Sequence, residues 1–345
     1  MHPAPRRAAI ALCALSLLPW ALQGLAPVRA ESKFATQIER LSEAEGVFDT
    51  DNLISNERSY LEVIPALMSS GVSGGAYIGV GPDQNFSYIA RIRPAIAYII
   101  DVRRDNLLLH LLFKALFANA HSRIEYVSLL TGRVVPPRRD AWMGASVERI
   151  AAYVDSAERD STSARQLRQR LERTIEGFGV PLSRADLDTI ARFHGEFIDA
   201  GLSLRFRSHG REPRFYYPTL RELLLATDAN GRTWSYLASE DAFQFVRSLE
   251  ARDAIVPVVG NVSGPHAMRA LASAIATRGE RVSAFYISNV ESYLFRDGMY
   301  ITFAENLRRL PHDRRTLMIR SIFGGASSVS EVAPMDDVIA HVMRP

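Results

Sequence analysis

Cysteine is nearly missing from this 345-residue chain, which holds only Cys13. That excludes an internal disulfide framework and a thiolate zinc site. Lysine is almost as scarce: all but Lys33 and Lys114 of the 41 basic residues are arginine. Beyond residue 30, histidine stands at positions 110, 121, 194, 209, 266, 312 and 341, with no pair at the helical spacing of a metal site. Neither His-Glu-x-x-His nor a P-loop occurs, so metalloprotease and P-loop chemistry have no local signature. With 21 Gly and 17 Pro the chain is neither collagen-like nor linker-dominated, and 47% hydrophobic residues are too many for a disordered one. A packed core of one large or two ordinary domains is expected. After residue 30 the most apolar stretch, Leu107 to Ala118, contains His110 and Lys114 and reads as a buried helix, not a membrane span.

The amino terminus differs from the rest. Arg6 and Arg7 precede an uncharged stretch from Ala8 to Val28, and Arg29-Ala30 stands before a charged, helix-prone segment beginning at Glu31. A positive start, an apolar run and a small-residue end are the parts of an export signal, with cleavage expected after Ala30 and a periplasmic or secreted location. The competing reading is an uncleaved anchor, since about 20 apolar residues span a bilayer, but Pro19, Gln23, Gly24 and Pro27 interrupt this run. The segment also accounts for the charge. The formal net charge is +3 and the pI about 9.1. Removing residues 1–30 takes away Arg6, Arg7 and Arg29 and no acid, leaving basic and acidic residues equal in number. Net charge then gives no case for nucleic acid as a partner; a small-molecule ligand is the expected one.

Two regions alternate short apolar runs with helix signals, the pattern of parallel β-α-β units. In the first, Ala76 to Val80 is a strand, Asp83 to Ile92 a short helix, and Ala95 to Ile100 a strand ending at Asp101. In the second, Ile255 to Val259 is a strand weakened by Pro257, Pro265 to Thr277 a helix, and Val282 to Ile287 a strand; a further one is expected at Thr316 to Phe323. Residues 31–345 are therefore read as a single α/β domain, a Rossmann-like mostly parallel sheet flanked by helices. Between its two halves, at about 106–249, helix signals dominate and predict a large helical insertion. Ser183 to Asp186 and Thr219 to Glu222 fit capping boxes. Within the insertion, Ser203 to Pro218 interleaves Arg205, Arg207, Arg211 and Arg214 with Phe206, Phe215, Tyr216 and Tyr217. A surface loop with snorkelling arginines, a nucleic-acid contact and a cap over a cleft all fit that pattern, the first best for a charge-balanced chain.

The strongest local signal is Gly79-Val80-Gly81-Pro82-Asp83-Gln84-Asn85, between strand and helix, with Asp101 closing the next strand. In cofactor-binding folds such glycines let the backbone turn tightly beside the ligand, a helix amino terminus faces it, and an acid about 20 residues on takes the ribose hydroxyls. Gly79, Gly81, Asp83, Asn85 and Asp101 are therefore candidate cofactor-binding residues, with Arg103 bordering them. A third glycine is missing and Asp83 would repel phosphate, which disfavours a dinucleotide. The same turn without any ligand is simply a tight β-α connection, with Asp101 capping the helix after it. Gly260-Asn261-Val262-Ser263-Gly264 is a second strand-to-helix turn, and Asn261 joins the candidates.

An internal echo follows: Ile54-Ser55-Asn56-Glu57-Arg58-Ser59-Tyr60-Leu61 and Ile287-Ser288-Asn289-Val290-Glu291-Ser292-Tyr293-Leu294 agree at six of eight positions. As structure these are two helix amino termini. As function, the second copy follows a strand directly, which would bring Asn289 and Glu291 to the rim where open α/β sheets bind ligands, with Glu57 reaching it from before the first strand. Glu57, Asn289 and Glu291 are the catalytic candidates. His110, set among leucines, reads as a satisfied core histidine.

The segment from Gly79 to Asp101 resembles the first two strands of the Rossmann-like methyltransferase superfamily, whose cofactor S-adenosylmethionine has no phosphate for Asp83 to repel. The phrases around Leu53–Leu61, Tyr77–Leu112, Ser235–Phe245, Val256–Pro265 and Ala284–Phe295 resemble a widespread bacterial family of uncharacterised proteins, which brings no activity with it. Three functions stay open. One is a methyltransferase-like enzyme holding an adenosyl cofactor. Another is a non-catalytic periplasmic binding or structural protein. The third is a cofactor-free hydrolase with Glu57 or Glu291 as general base.

Overall fold

The computed structural model describes residues 32–50, 52–160, 163–208, 214, 216–324 and 327–342. The expected export segment at residues 1–30 lies outside the described residues, as do 209–213 and 215 of the Arg/aromatic stretch. Chain order begins with α1 (Lys33–Leu41), α2 (Ile64–Ser69), β1 (Ala76–Val80), α3 (Gln84–Ile92) and β2 (Ile96–Asp101). Seven helices then intervene: α4 (Arg104–Asn119), α5 (Arg123–Leu130), α6 (Val147–Ser156), α7 (Ala164–Gly177), α8 (Arg184–Ala200), α9 (Leu220–Leu224) and α10 (Glu240–Ala251). The sheet resumes with β3 (Ile255–Val259), α11 (Ala267–Thr277), β4 (Val282–Ser288), α12 (Val290–Arg296), α13 (Tyr300–Arg309), β5 (Leu317–Gly324), β6 (Ser327–Pro334) and α14 (Met335–Val342).

The strands form one sheet in the order β3-β2-β1-β4-β5-β6, parallel except for β6, which returns antiparallel beside β5. This is the order of doubly wound sheets, and it reverses direction between β1 and β4. The strands read as continuous apolar runs because helices cover both faces: every residue of β1 and β3 is buried. Helices α3, α4 and α10 pack on one another and on β1 to β4, while α1, α11, α13 and α14 make a second connected group reaching from β3 to β5 and β6. The insertion is therefore a long crossover between two adjacent strands. At its root, α4 is buried from Asn106 to Phe117 and touches α5, α7, α8 and α10 as well as β2 and β3, as expected of a helix apolar all round.

Pro257 is tolerated because β3 is an edge strand. That edge is covered. Glu43 N–H donates to Val259 O at 2.9 Å, and Val259 N–H donates to Ser42 Oγ at 3.1 Å. Glu43 then caps α11: Oε1 accepts from Asn261 N, and Oε2 from His266 N and Ala267 N, at 2.8 to 3.1 Å. Gly264 is what admits this carboxylate, since a Cβ there would lie 2.3 Å from Glu43 Oε1.

Both expected capping boxes are present, at Ser183 and Thr219. The echo behaves differently: Ser288-Asn289 does precede a helix, but Ser55 Oγ accepts from Glu57 N–H in a turn and no helix starts there until Ile64. Similar words fold differently because Pro65 sets the first helix later, at its own first turn. Glu43→Ala should lower unfolding free energy by about 1–2 kcal/mol, read as a shift in urea midpoint, whereas the exposed Glu45→Ala should stay within about 0.5 kcal/mol.

Candidate functional site

The carboxyl ends of four parallel strands open into one cleft of about 370 Å³, lined by Val80 and Gly81, Ile100 to Arg103, Gly260 to Ser263, and Ser288 and Asn289. It straddles the point where strand order reverses, the place such sheets bind ligands. Its outer wall comes from Val47 to Thr50, from Tyr293 to Met299, and from Phe206, Ser208 and Tyr217 of the insertion. Part of the Arg/aromatic stretch thus faces the cleft. Arg58 holds this wall, donating to Tyr216 O at 3.1 Å and pairing with Glu222 at 3.0 Å.

The turn after β1 is locked from behind. Asn85 is fully buried; its Nδ2 donates to Val80 O and Pro82 O, and its Oδ1 accepts from Tyr77 Oη at 2.8 Å. Gly79 exists to make room for that amide, because a Cβ there would lie 1.9 Å from Asn85 Oδ1. Gly81, at φ +80°, then turns the backbone into the cleft, and its carbonyl accepts from His110 Nε2 at 2.9 Å. The imidazole is neutral, burial pushing its pKa down to about 4. Of the cofactor candidates in this loop, only Gly81 meets the cleft. Gly79 and Asn85 build the turn. Asp83 points away from it, buried beside Tyr236, whose hydroxyl donates to Oδ2 at 3.3 Å. Burial raises its pKa to about 7. Asp83 is therefore no barrier to an anion in the cleft; it is an acid packed under the loop.

Asp101 and Arg103 face the cleft as a pair: Arg103 Nε meets Oδ1 at 3.0 Å and Nη2 meets Oδ2 at 2.8 Å, while Arg103 N–H also donates to Oδ1. A carboxylate has about four acceptor sites, so Oδ2 keeps one for a ligand hydroxyl. Asn261 is in the cleft, its Oδ1 accepting from Ser263 N and Oγ at 2.9 and 2.8 Å. Asn289 is there too, and its side chain does not cap α12.

The three catalytic candidates separate. Glu57 is fully buried beneath the cleft floor, where Tyr286 Oη donates to Oε2 at 2.8 Å and Ser288 Oγ donates to Oε1. Burial raises its pKa, outweighing these hydrogen bonds. Glu291 lies outside the cleft lining, bound to Arg320 Nε and Tyr300 Oη, each at 2.5 Å. The helical rotation of α12 carries it away from Asn289. It is a structural anchor between α12, α13 and β5.

Several cleft residues were not among the candidates. Gln84 Oε1 and Thr50 Oγ1 are buried polar atoms without a hydrogen-bond partner, on residues 5% and 6% exposed. Asn52 and Asn56 add two carboxamides. Gln84 stands inside the Gly79 to Asn85 signal and Ser288 inside the echo, so position after a strand marked both; Thr50 and Asn52 come from an irregular segment with no motif.

A family model described as a domain of unknown function (DUF7790) matches residues 53–177 and 207–342. The chain belongs to this family. The DUF7790 match holds every strand of the sheet and, from Leu53 onward, all of the cleft lining except Phe206. No curated relative matches the chain.

Two outcomes follow. Gly79→Ala should cost about 1–3 kcal/mol by driving a methyl group into the Asn85 amide, measured by denaturant unfolding. For Asp83 the folded pKa is raised, so the folded state binds the extra proton between about pH 4 and pH 7 and stability falls as pH rises through that window. Asp83→Asn should flatten the decline by up to about 1.4 kcal/mol per pH unit, seen by comparing unfolding midpoints at pH 4.5 and pH 8.

Proposed function

We propose that the cleft binds an adenosyl cofactor of the S-adenosylmethionine type and that the protein is methyltransferase-like. The observation that carries this reading is the chemical character of the cleft at the sheet's reversal point. Asn52, Asn56, Gln84, Asn261 and Asn289 line it with carboxamides, its charged groups are Asp49, the Asp101–Arg103 pair and the Asp297–Arg296 pair, and it has no lysine. Such a surface suits a neutral or zwitterionic ligand rich in hydroxyl and amine groups better than a pyrophosphate. The orphaned Gln84 Oε1 and Thr50 Oγ1 supply hydrogen-bonding positions awaiting partners.

The residues fit the group in a definite way. Gly81 would admit it close to the backbone, Asp101 Oδ2 would take one ribose hydroxyl, and Asn261 and Val102 would border the base. When bound, the cofactor would supply an electrophilic methyl group; Tyr217 and Phe206 of the insertion would screen it from water. We also propose that residues 1–30 direct export, in which case a binding protein that keeps the cleft without catalysis is the second reading. It is favoured by the location, since adenosyl cofactors are made in the cytoplasm. A reporter fused after residue 30 should appear outside the cytoplasm.

Purified protein should be melted with S-adenosylmethionine, S-adenosylhomocysteine or NAD. The adenosyl compounds, at about 100 times their dissociation constant, should stabilise it by about 2.7 kcal/mol, with no shift from NAD. Thr50→Val should weaken adenosyl binding about tenfold, the worth of one buried hydrogen bond. Absence of any shift with both adenosyl compounds would sink the proposal.

A further inference from the structure

We infer that Ser288 is a nucleophile, activated by Glu57, and that the cleft can cleave a carboxylic ester by way of an acyl-serine. The inference goes beyond the adenosyl reading and does not rest on it.

The backbone isolates Ser288. The β4–β5 register slips between Tyr286 and Ser288, and Ser288 itself sits at φ +56°, in the left-handed region that side chains other than glycine, asparagine and aspartate rarely adopt. Holding a serine there is strained, and such strain concentrates where a side chain must be aimed. Here it occurs on a strand-to-helix turn, between β4 and α12, with the residue lining the cleft. This is the backbone logic of a nucleophile elbow without its glycine motif.

The side chains complete the arrangement. A nucleophile needs a base in hydrogen-bond reach and a third group that orients the base. Ser288 Oγ donates to Glu57 Oε1. The other carboxylate oxygen accepts from Tyr286 Oη at 2.8 Å, and Tyr286 Oη in turn accepts from Gln84 Nε2 at 3.3 Å. Glu57 touches no solvent, so Ser288 is the route by which its proton reaches the cleft. Burial raises the pKa of Glu57, so its carboxylate is a stronger base than a solvated one, which is what a weak nucleophile such as serine requires. Asn289, next along the chain, presents its carboxamide to the cleft; its Oδ1 lies 3.3 Å from Ser288 Oγ, leaving Nδ2 as donor to a developing oxyanion.

In the acylation step Ser288 Oγ bonds to the ester carbonyl carbon as its proton passes to Glu57 Oε1. The tetrahedral adduct then expels the alkoxide, which takes a proton from a water in the cleft and leaves as the alcohol. The hydroxide so formed attacks the acyl-serine and releases the acid, and Ser288 Oγ recovers its proton from Glu57 Oε1. The sum is ester plus water to acid plus alcohol. The carboxamides of the cleft favour an uncharged, hydroxyl-bearing ester over an anionic one.

The test treats the full protein with an alkyl fluorophosphonate, followed by peptide mass mapping. A single adduct on Ser288, with loss of fluoride, is expected. It should be absent in Ser288→Ala, at least 100-fold slower in Glu57→Gln, and several-fold slower in Tyr286→Phe. Melting curves of each variant establish that it is folded, and the near-isosteric Tyr286→Phe keeps the comparison open if Glu57→Gln does not fold. No adduct on Ser288 in folded wild-type protein would overturn the inference, as would equal labelling rates in folded Glu57→Gln or Tyr286→Phe. A melting shift with adenosyl compounds is a separate measurement, so either idea can fail alone.

Discussion

The Asn85 amide is the contact on which the cleft depends. It fills the space that Gly79 leaves open and ties down the carbonyls of Val80 and Pro82, so the chain leaves β1 along one path only. A buried amide with both ends satisfied is rigid, and removing either partner would leave carbonyl groups buried and unpaired. From that fixed turn follow the position of Gly81, the hold of His110 on its carbonyl, and the placement of Gln84 against Tyr286 and hence Glu57. The same glycine that suggests a ligand in the sequence is in fact occupied by the protein's own side chain.

Much of the architecture was legible from residues because parallel strands buried on both faces have to be written as apolar runs. Ala76 to Val80, Ile255 to Val259 and Val282 to Ser288 match their expected spans to within a residue. β6 was not legible: Ser-Ser-Val-Ser-Glu-Val-Ala-Pro is a half-exposed edge segment whose pairing with β5 is decided by tertiary context, not by its own composition. The site was legible in part. Strand ends are readable, which is why Gly81, Asp101, Asn261 and Asn289 line one cleft. Side-chain direction is not, so Asp83, Asn85 and Glu291 lie elsewhere although each is next in sequence to a lining residue. The echo illustrates the same limit. Its two copies adopt different backbones, yet they meet, because Glu57 of the first bonds Ser288 of the second.

Charge is handled throughout by local pairing. Lys114, deep in α4, is met by Asp253 at 2.9 Å and Glu250 at 3.5 Å and by the faces of Phe34 and Phe178. Burial still holds the Glu250 carboxyl up to about 7. With Glu57 and Asp83 this makes three carboxyl groups whose pKa values the interior raises, all of them buried.

The insertion that supplies Phe206, Ser208 and Tyr217 to the cleft wall separates β2 from β3, which lie side by side. Their ladder closes a loop of about 150 residues, an entropic cost of about 4 kcal/mol before any contact is gained. Condensing the helices between them shortens that span, and while β2 is unpaired it presents an open apolar edge to other chains. The wall that shapes the cleft thus also carries a loop-closure cost that slows the pairing of β2 with β3.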